Sequence, residues 1–413
     1  MALNIWMLCI GEPLPLGPVR ENRTSLLSRA LLGRGHSVLW WTSAFDHFSK
    51  SWHFPEDTRV AVGDKWSLFA LHGCGYQRNV SLRRFVDHRL IARKFAKLAL
   101  EEPVPDLIIA SLPAHDLAYE ASRYATKHGV PLILDLRDQW PDLIIDALPS
   151  AVRWLGKIAL YKDARMTAVS VQDATSVTSM LPSVLEWGQQ RGKRAPTPLD
   201  RVFYLGAEEA QATDAPDAPK LREIADLPKR PIVAFIGTFG RYYHPEILAR
   251  VARRMADTDA LFVLGGDGEF MPQVTEACRG LQNVITPGWM TNRDIGWLLA
   301  RSTVGVIPCN IDADALPNKF FTYISGGVPI VSSLDGEARR LLEHEGLGRY
   351  YRTGDEQGLE AALRSLLSSP EELVAMSQRA RAFFDANLRS DIIYGDFARH
   401  AEQVATLRNS AAK

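Results

Sequence analysis

Cysteine is scarce in this chain. Four residues, Cys9, Cys74, Cys278 and Cys309, are scattered with no CxxC pair and no histidine at metal-ligand spacing, so neither a disulfide framework nor a zinc site is expected. A reducing cytoplasm is the natural setting for such usage. An excess of either charge is also missing: 48 Lys+Arg balance 48 Asp+Glu, which disfavours nucleic acid as the main partner. No stretch of about 18 residues is both apolar and uncharged, as a membrane-spanning helix requires. The longest uncharged run, 320–334, carries two glycines and a proline. The opening MALNIWMLCIGEP lacks the basic lead and cleavage pattern of a signal peptide and reads as a first buried strand. If the protein works at a membrane, it is expected to lie on it.

What is present is ordinary globular material in quantity. With 413 residues and 46% apolar content, the chain suits two domains rather than one core. Apolar runs at 4–10, 37–42, 106–111, 131–135 and 166–171 read as strands, separated by helical patterns such as 21–34 and 115–128. A polar, Pro- and Ala-rich stretch follows, with a short strand at 202–205. The alternation then restarts with strands at 232–236, 261–264, 284–286, 304–307 and 329–331. The expected fold is α/β: two doubly wound, Rossmann-like parallel-sheet domains facing a cleft. Their expected bounds are 1–204 and 231–388, with a linker at 205–230 and a last helix at 389–413 that braces the first domain.

Ligands of open parallel sheets sit beyond the carboxyl ends of the strands, so the loops there carry the candidate chemistry. In IGTFGRYYHPE, 236–246, Gly237 permits close backbone approach and Arg241 offers a guanidinium to a phosphate; the alternative is a plain strand-to-helix turn. In LGGDGEF, 264–270, Gly266 precedes a helix start, although Asp267 argues for turn chemistry. Trp289 follows a strand end where its ring could meet a nucleobase or simply pack. In LPNKFFTYISGGVPIVSS, the amides near Leu316 and Asn318 together with Lys319 suit a diphosphate, and Asp314 just upstream suits sugar hydroxyls. The alternative for Lys319 is an exposed helix lysine.

The ordered set RGHSV (34–38), LDLRDQWPD (134–142), FIGTFGR (235–241), GGDGE (265–269), NVITPGW (283–289) and PNKFFTYISGGVPIV (317–331) resembles retaining glycosyltransferase family four, of the GT-B fold, in its bacterial surface-polysaccharide branch. The resemblance covers nearly the whole chain. It implies a nucleotide-sugar donor, UDP- or GDP-linked, on the second domain and an acceptor on the first, with retention of configuration and neither cofactor nor catalytic metal. The family's paired glutamates correspond here to Asp314 and Thr322, and its basic pair falls near Thr238 and His244, so Arg241 and Lys319 are the expected substitutes. The loop after the first strand, with Gly11, approaches the donor phosphates or the acceptor in the family. Arg20 and Arg23 are then candidates for an anionic acceptor phosphate, the alternative being solvent-exposed arginines at a helix start. Asp138, beside Arg137, is the candidate for an acceptor or sugar hydroxyl, the alternative being an Arg137–Asp138 ion pair that fixes the loop. His115 is a candidate for the same cleft or a histidine of a helix-capping region.

Chemistry of this kind runs through charge stabilisation and positioning, with the leaving diphosphate helping to deprotonate the acceptor. Arg241, Lys319, Asp314 and Asp138 are the residues expected to carry it. The basic amphipathic stretch SLRRFVDHRLIARKFAKLALE, 81–101, together with Trp154 and Lys157, suits an anionic membrane surface at the inner face of the cytoplasmic membrane. A polyprenyl-diphosphate-linked acceptor for exopolysaccharide or O-antigen assembly is the matching expectation. The alternatives are a nucleotide-sugar epimerase, or a non-catalytic sugar-nucleotide-binding or scaffold subunit.

Overall fold

A computed structural model describes residues 2–17, 21–225, 230–240, 242–310 and 314–411. The chain divides into two compact units, 1–204 with 393–413, and 205–392.

The first unit is built on an eight-stranded sheet: β1 (Asn4–Leu8), β2 (Ser37–Ser43), β3 (Thr58–Gly63), β4 (Trp66–Leu71), β5 (Leu107–Leu112), β6 (Leu132–Leu136), β7 (Ser176–Ser179) and β8 (Arg201–Val202). Their order is β3-β4-β2-β1-β5-β6-β7-β8, with only the β3–β4 pair antiparallel. Strands β1, β5 and β6 are almost wholly buried, as apolar runs flanked by helices on both faces must be. Aromatic packing fills one side, where Trp6 meets Trp41, Phe95 and Tyr124.

The apolar segment 166–171 is not a strand. It lies within the helix Tyr161–Asp173, where Thr167, Ser170 and Val171 face inward at helical spacing. The strand that follows β6 is β7, four residues of sequence SVTS, completely buried. Its hydroxyls are satisfied: Ser176 donates to the Leu199 carbonyl at 2.6 Å and Thr178 to Asp135 at 2.9 Å. A buried strand made of polar residues defeats a hydrophobicity reading. Along the last helix, Ser390–Ala411, Phe397 stacks on Phe203 at 4.4 Å and His400 bonds Ser176 at 2.9 Å.

The second unit has a six-stranded, wholly parallel sheet: β9 (Ile232–Ile236), β10 (Leu261–Gly265), β11 (Val284–Gly288), β12 (Ser302–Ile307), β13 (Ile330–Ser332) and β14 (Gly348–Tyr350), in the order β11-β10-β9-β12-β13-β14. The stretch read as linker contributes to this unit. Within it, the helix Pro219–Ala225 buries Leu221, and the backbone amides of Asp217 and Ala218 donate to Asp294 at 2.7 and 2.8 Å. Few apolar residues are needed when a carboxylate ties the segment down.

In each sheet the strand order reverses at one place, and such a switch point opens a crevice beyond the strand ends. In the first unit it falls between β1 and β5, in the second between β9 and β12.

Candidate functional site

The loops after β1 and β5 enclose a cavity of about 220 Å3, lined among others by Cys9, Gly11, Glu12, His47, Arg84 and Arg137. Gly11 sits at φ +82°, a left-handed turn that brings the chain round into this cavity. A smaller recess shares Gly11 and Arg84 and adds Tyr76, Asp87 and His88. Cys9 is no nucleophile, since burial pushes its thiol up to about 11.

Beneath this cavity lies a buried ion network that changes the reading of two candidates. Arg23 is 1% exposed; its Nε and Nη2 both donate to Asp135 at 2.9 Å, and its Nη1 donates to the Phe203 carbonyl. Arg137 donates to Asp135 at 3.0 Å, to Thr24 Oγ1 at 3.0 Å and to Glu12. Burial alone would raise the Asp135 carboxyl, but the two guanidinium groups hold it well below the usual carboxylate range. Arg23 therefore braces the sheet and cannot reach an acceptor. Arg137 reaches the cavity with its charge already balanced.

His115 is likewise withdrawn from the cavity. It is fully buried at the start of the helix His115–His128, with Nε2 2.7 Å from Asp163 and 3.2 Å from Asp116. Burial opposes its charge, yet the two carboxylates push it up to about 9, so it is an imidazolium near neutrality. Arg89 completes a balanced cluster, 3.5 Å from Asp116 and 3.3 Å from Asp163. The group ties three helices together. Asp138 is half-buried, with its carboxyl pushed up by burial and accepting the Gln139 amide at 3.0 Å; it is not among the residues lining the cavity. Arg20 lies outside the described residues.

In the second unit, the loops after β9 and β12 meet at the switch point. The helix Asn318–Ser325 is fixed there by Tyr323, whose hydroxyl accepts the Ile236 amide at 2.9 Å and donates to the Ala234 carbonyl at 3.0 Å. Its ring lies against Gly305, where a Cβ would come within 2.6 Å. One turn earlier stands Lys319. It is not an exposed helix lysine: it is 8% exposed, and its Nζ has no hydrogen-bond partner among the described residues. The amine rests 3.4 Å from the centre of the Tyr243 ring and 4.2 Å from that of Phe235. Burial lowers its pKa to about 7.

Gly237, at φ +141°, leaves room for that amine, since a Cβ would fall 2.9 Å from Nζ. Gly266 lies behind it, at φ +147°, where a Cβ would strike the Gly237 carbonyl at 1.8 Å. These glycines lace two loops together, as the Phe239 amide donating to the Asp267 carbonyl at 2.9 Å also shows.

The remaining donor candidates surround the same helix start or its neighbouring loops. Thr238 and Asn318 are exposed and Leu316 half-buried. Trp289 is 74% exposed just beyond β11, which excludes core packing. Asp314 is exposed, and its Oδ1 accepts the Glu337 amide at 2.8 Å, capping the helix Glu337–His344. Thr322 donates to the Asn318 carbonyl of its own helix at 3.1 Å. Arg241 lies outside the described residues.

The basic helix Leu82–Leu98 holds the residue that sequence reasoning placed wrongly. Arg84 faces the cavity, Arg83 donates to the Gly75 and Cys74 carbonyls, and Lys94 pairs with Asp57 at 2.8 Å. His47 and Tyr76, which flank Arg84, come from irregular segments with no periodic signal.

Residues 230–369 match the family model described as glycosyl transferases group 1, about a third of the chain. No curated protein matches. Sucrose-phosphate synthase of Thermosynechococcus elongatus superposes with a TM-score of 0.71 at 15% identity, over 98% of this chain and 99% of that one. HepE of Anabaena, solved in complex with UDP, gives 0.66 at 16%, over 97% and 100%. The catalytic domain of starch synthase IV of Arabidopsis thaliana, bound to ADP and acarbose, gives 0.64 at 14%, over 99% and 100%. The fold is GT-B. Each GT-B unit thus carries a candidate site at its own switch point, and no described helix is long and apolar enough to cross a membrane.

Proposed function

We propose that the chain is a retaining glycosyltransferase. It takes a sugar from a nucleotide-sugar donor held by the second unit and passes it to an acceptor held by the first. The observation that carries this reading is Lys319, a buried amine without a hydrogen-bond partner among the described residues, at the switch point of a glycosyltransferase-like domain. A buried amine in this state is costly unless an anion docks on it, and the diphosphate of a nucleotide sugar is such an anion. Lys319 and the amides at the helix start would stabilise the departing diphosphate, which in turn would accept the proton of the acceptor hydroxyl. Trp289 offers an exposed ring to the base, and the exposed Asp314 would accept from a sugar hydroxyl. The similar structures solved with UDP and with ADP bound support a nucleotide ligand.

The acceptor is read as a lipid-linked diphosphate sugar in surface-polysaccharide assembly, reached from an anionic membrane surface. The helix Leu82–Leu98 supports this less than its sequence does, because several of its cations are engaged within the unit. A better contact is the segment 152–161. There Trp154 is 58% and Ile158 67% exposed, with Leu155 and Tyr161 beside them and Lys157 among them.

The test is a calorimetric panel of UDP, GDP, ADP and dTDP with their common sugar conjugates, followed by turnover with the conjugate that binds. Saturable binding of one sugar nucleotide with turnover supports the enzyme. Binding without any turnover favours a non-catalytic subunit, a reading that Thr322 supports because its hydroxyl is engaged where the family has a carboxylate. Absence of binding across the panel would defeat both.

A further inference from the structure

The cavity of the first unit contains a guanidinium that no carboxylate among the described residues bonds. Arg84 makes no salt bridge among the described residues. It is held by other means: Nη1 donates to the Asn79 carbonyl at 2.8 Å, Nε points at His88 Nε2 at 3.4 Å, and the guanidinium lies 4.7 Å from the Trp140 ring centre and 5.6 Å from that of Tyr76. A half-buried guanidinium sandwiched by two rings is fixed in orientation without being discharged.

Asp138 and Asp87 act on Arg84 through space without bonding it, and the carboxylates that line the cavity bond elsewhere. Glu12 accepts from Arg137 and from the Thr24 amide at 3.0 Å. Asp87 Oδ1 accepts the Cys74 and Gly75 amides, both at 2.7 Å. Next to Arg84, His47 Nδ1 shares a hydrogen bond of 2.6 Å with the Tyr76 hydroxyl, and Lys50 lies 5.0 Å from the same ring. The local field is positive enough to act on its neighbours: after burial, Arg84 and Lys50 are what lower His47 to about 4. Arg137, the other guanidinium in the cavity wall, is balanced by Glu12 and Asp135.

We propose that Arg84, backed by His47, is the anion-reading side chain of an acceptor subsite in this cavity, so that the acceptor carries a phosphate monoester or diphosphate. This rests on the glycosyltransferase reading and narrows its acceptor class. Arg84 thereby takes the role that the sequence assigned to Arg23. A cavity of about 220 Å3 has room for one phosphorylated sugar or a diphosphate head group.

Full-length protein would be titrated calorimetrically with glucose 6-phosphate, pyrophosphate, geranyl diphosphate below its micellar concentration, and neutral glucose. UDP would be titrated separately. Wild type should bind at least one phosphate probe and not glucose. Preference for glucose 6-phosphate would indicate a soluble sugar phosphate, and preference for geranyl diphosphate a lipid-linked head group. Arg84→Gln should weaken the preferred probe at least tenfold and Arg84→Lys less, with UDP affinity within twofold of wild type. His47→Gln, which leaves the helix untouched, should weaken the same probe severalfold and serves if Arg84→Gln fails to fold. No phosphate binding by wild type, equal binding of glucose, or unchanged binding in Arg84→Gln and His47→Gln would each overturn the subsite. Loss of UDP binding by wild type would instead count against the donor reading alone.

Discussion

Two buried cations in this protein are treated in opposite ways. Arg23 and its neighbours in the first unit are paired to completion, with Asp135 gripped by two guanidinium groups and Thr178. Lys319 in the second unit has two aromatic rings for company and no acceptor among the described residues. Paired charge holds a fold in place, whereas an unpaired buried charge is sustained by the rest of the fold and waits for a ligand. The same contrast recurs within the first unit, between the balanced Arg137 and the unbalanced Arg84.

The sharpest way to break the comparison is at Asp135. Asp135→Ala leaves two guanidinium groups buried without their shared partner and should destabilise the first unit by about 3–5 kcal/mol. Urea unfolding followed by the tryptophan fluorescence of that unit would measure it, and a loss below about 1 kcal/mol would mean the network is not what holds the sheet. Lys319→Met should do the reverse. Removing an amine whose pKa burial has lowered to about 7 is expected to stabilise the second unit by about 2–4 kcal/mol at pH 7. A destabilised Lys319→Met protein would show the amine to be structural.

His115 and Lys319 predict opposite dependence on pH. His115 is raised to about 9 in the folded state, so its stabilisation is complete below about 6.5 and is lost as pH rises through 9. Its size is up to about 3 kcal/mol, and His115→Gln should abolish the dependence in that window. Lys319 has a folded value below its unfolded one. The unfolded chain therefore holds more protons between about 7 and 10, and this contribution to stability climbs with pH. Unfolding curves of His115→Gln and Lys319→Met from pH 6 to 10 should separate the two slopes. Identical profiles would refute the assignment of either.

The smallest effect is expected at Thr322. Its hydroxyl serves its own helix, and Thr322→Glu places a carboxylate where the resemblance implies one for a ribose. UDP affinity should rise by a few fold, about 1 kcal/mol. A fall would show that the ribose is held elsewhere.

How much of this could be read in the sequence depends on what each residue type signals. Alternating apolar runs and helical patterns disclosed two doubly wound sheets, because a strand buried on both faces has to be apolar. The same logic missed β7, whose buried hydroxyls are satisfied by specific partners, and mistook the helix at 166–171 for a strand over a run too short to separate the two periods. The glycines at 237 and 266 were visible, although their close contact is with each other's loops and with Lys319. Lys319 itself stood out by position, but nothing in PNKFF foretells that its amine lies between two rings. Charge was the least legible property. Arg23, His115 and Arg84 look alike in a sequence as polar residues near loops, and only the carboxylates that bond the first two, and do not bond the third, distinguish a brace from a reader of ligands.

The central claim is that Lys319 waits for a diphosphate, and it is tested most directly by calorimetric titration of wild type and Lys319→Met with UDP and with uridine near pH 7. The account predicts that UDP binding weakens about 10- to 100-fold on substitution while uridine binding is unchanged. It also predicts that wild type takes up a proton on binding UDP, seen as a dependence of the enthalpy on the buffer. Equal weakening of UDP and uridine, or UDP binding that Lys319→Met leaves intact, would contradict it.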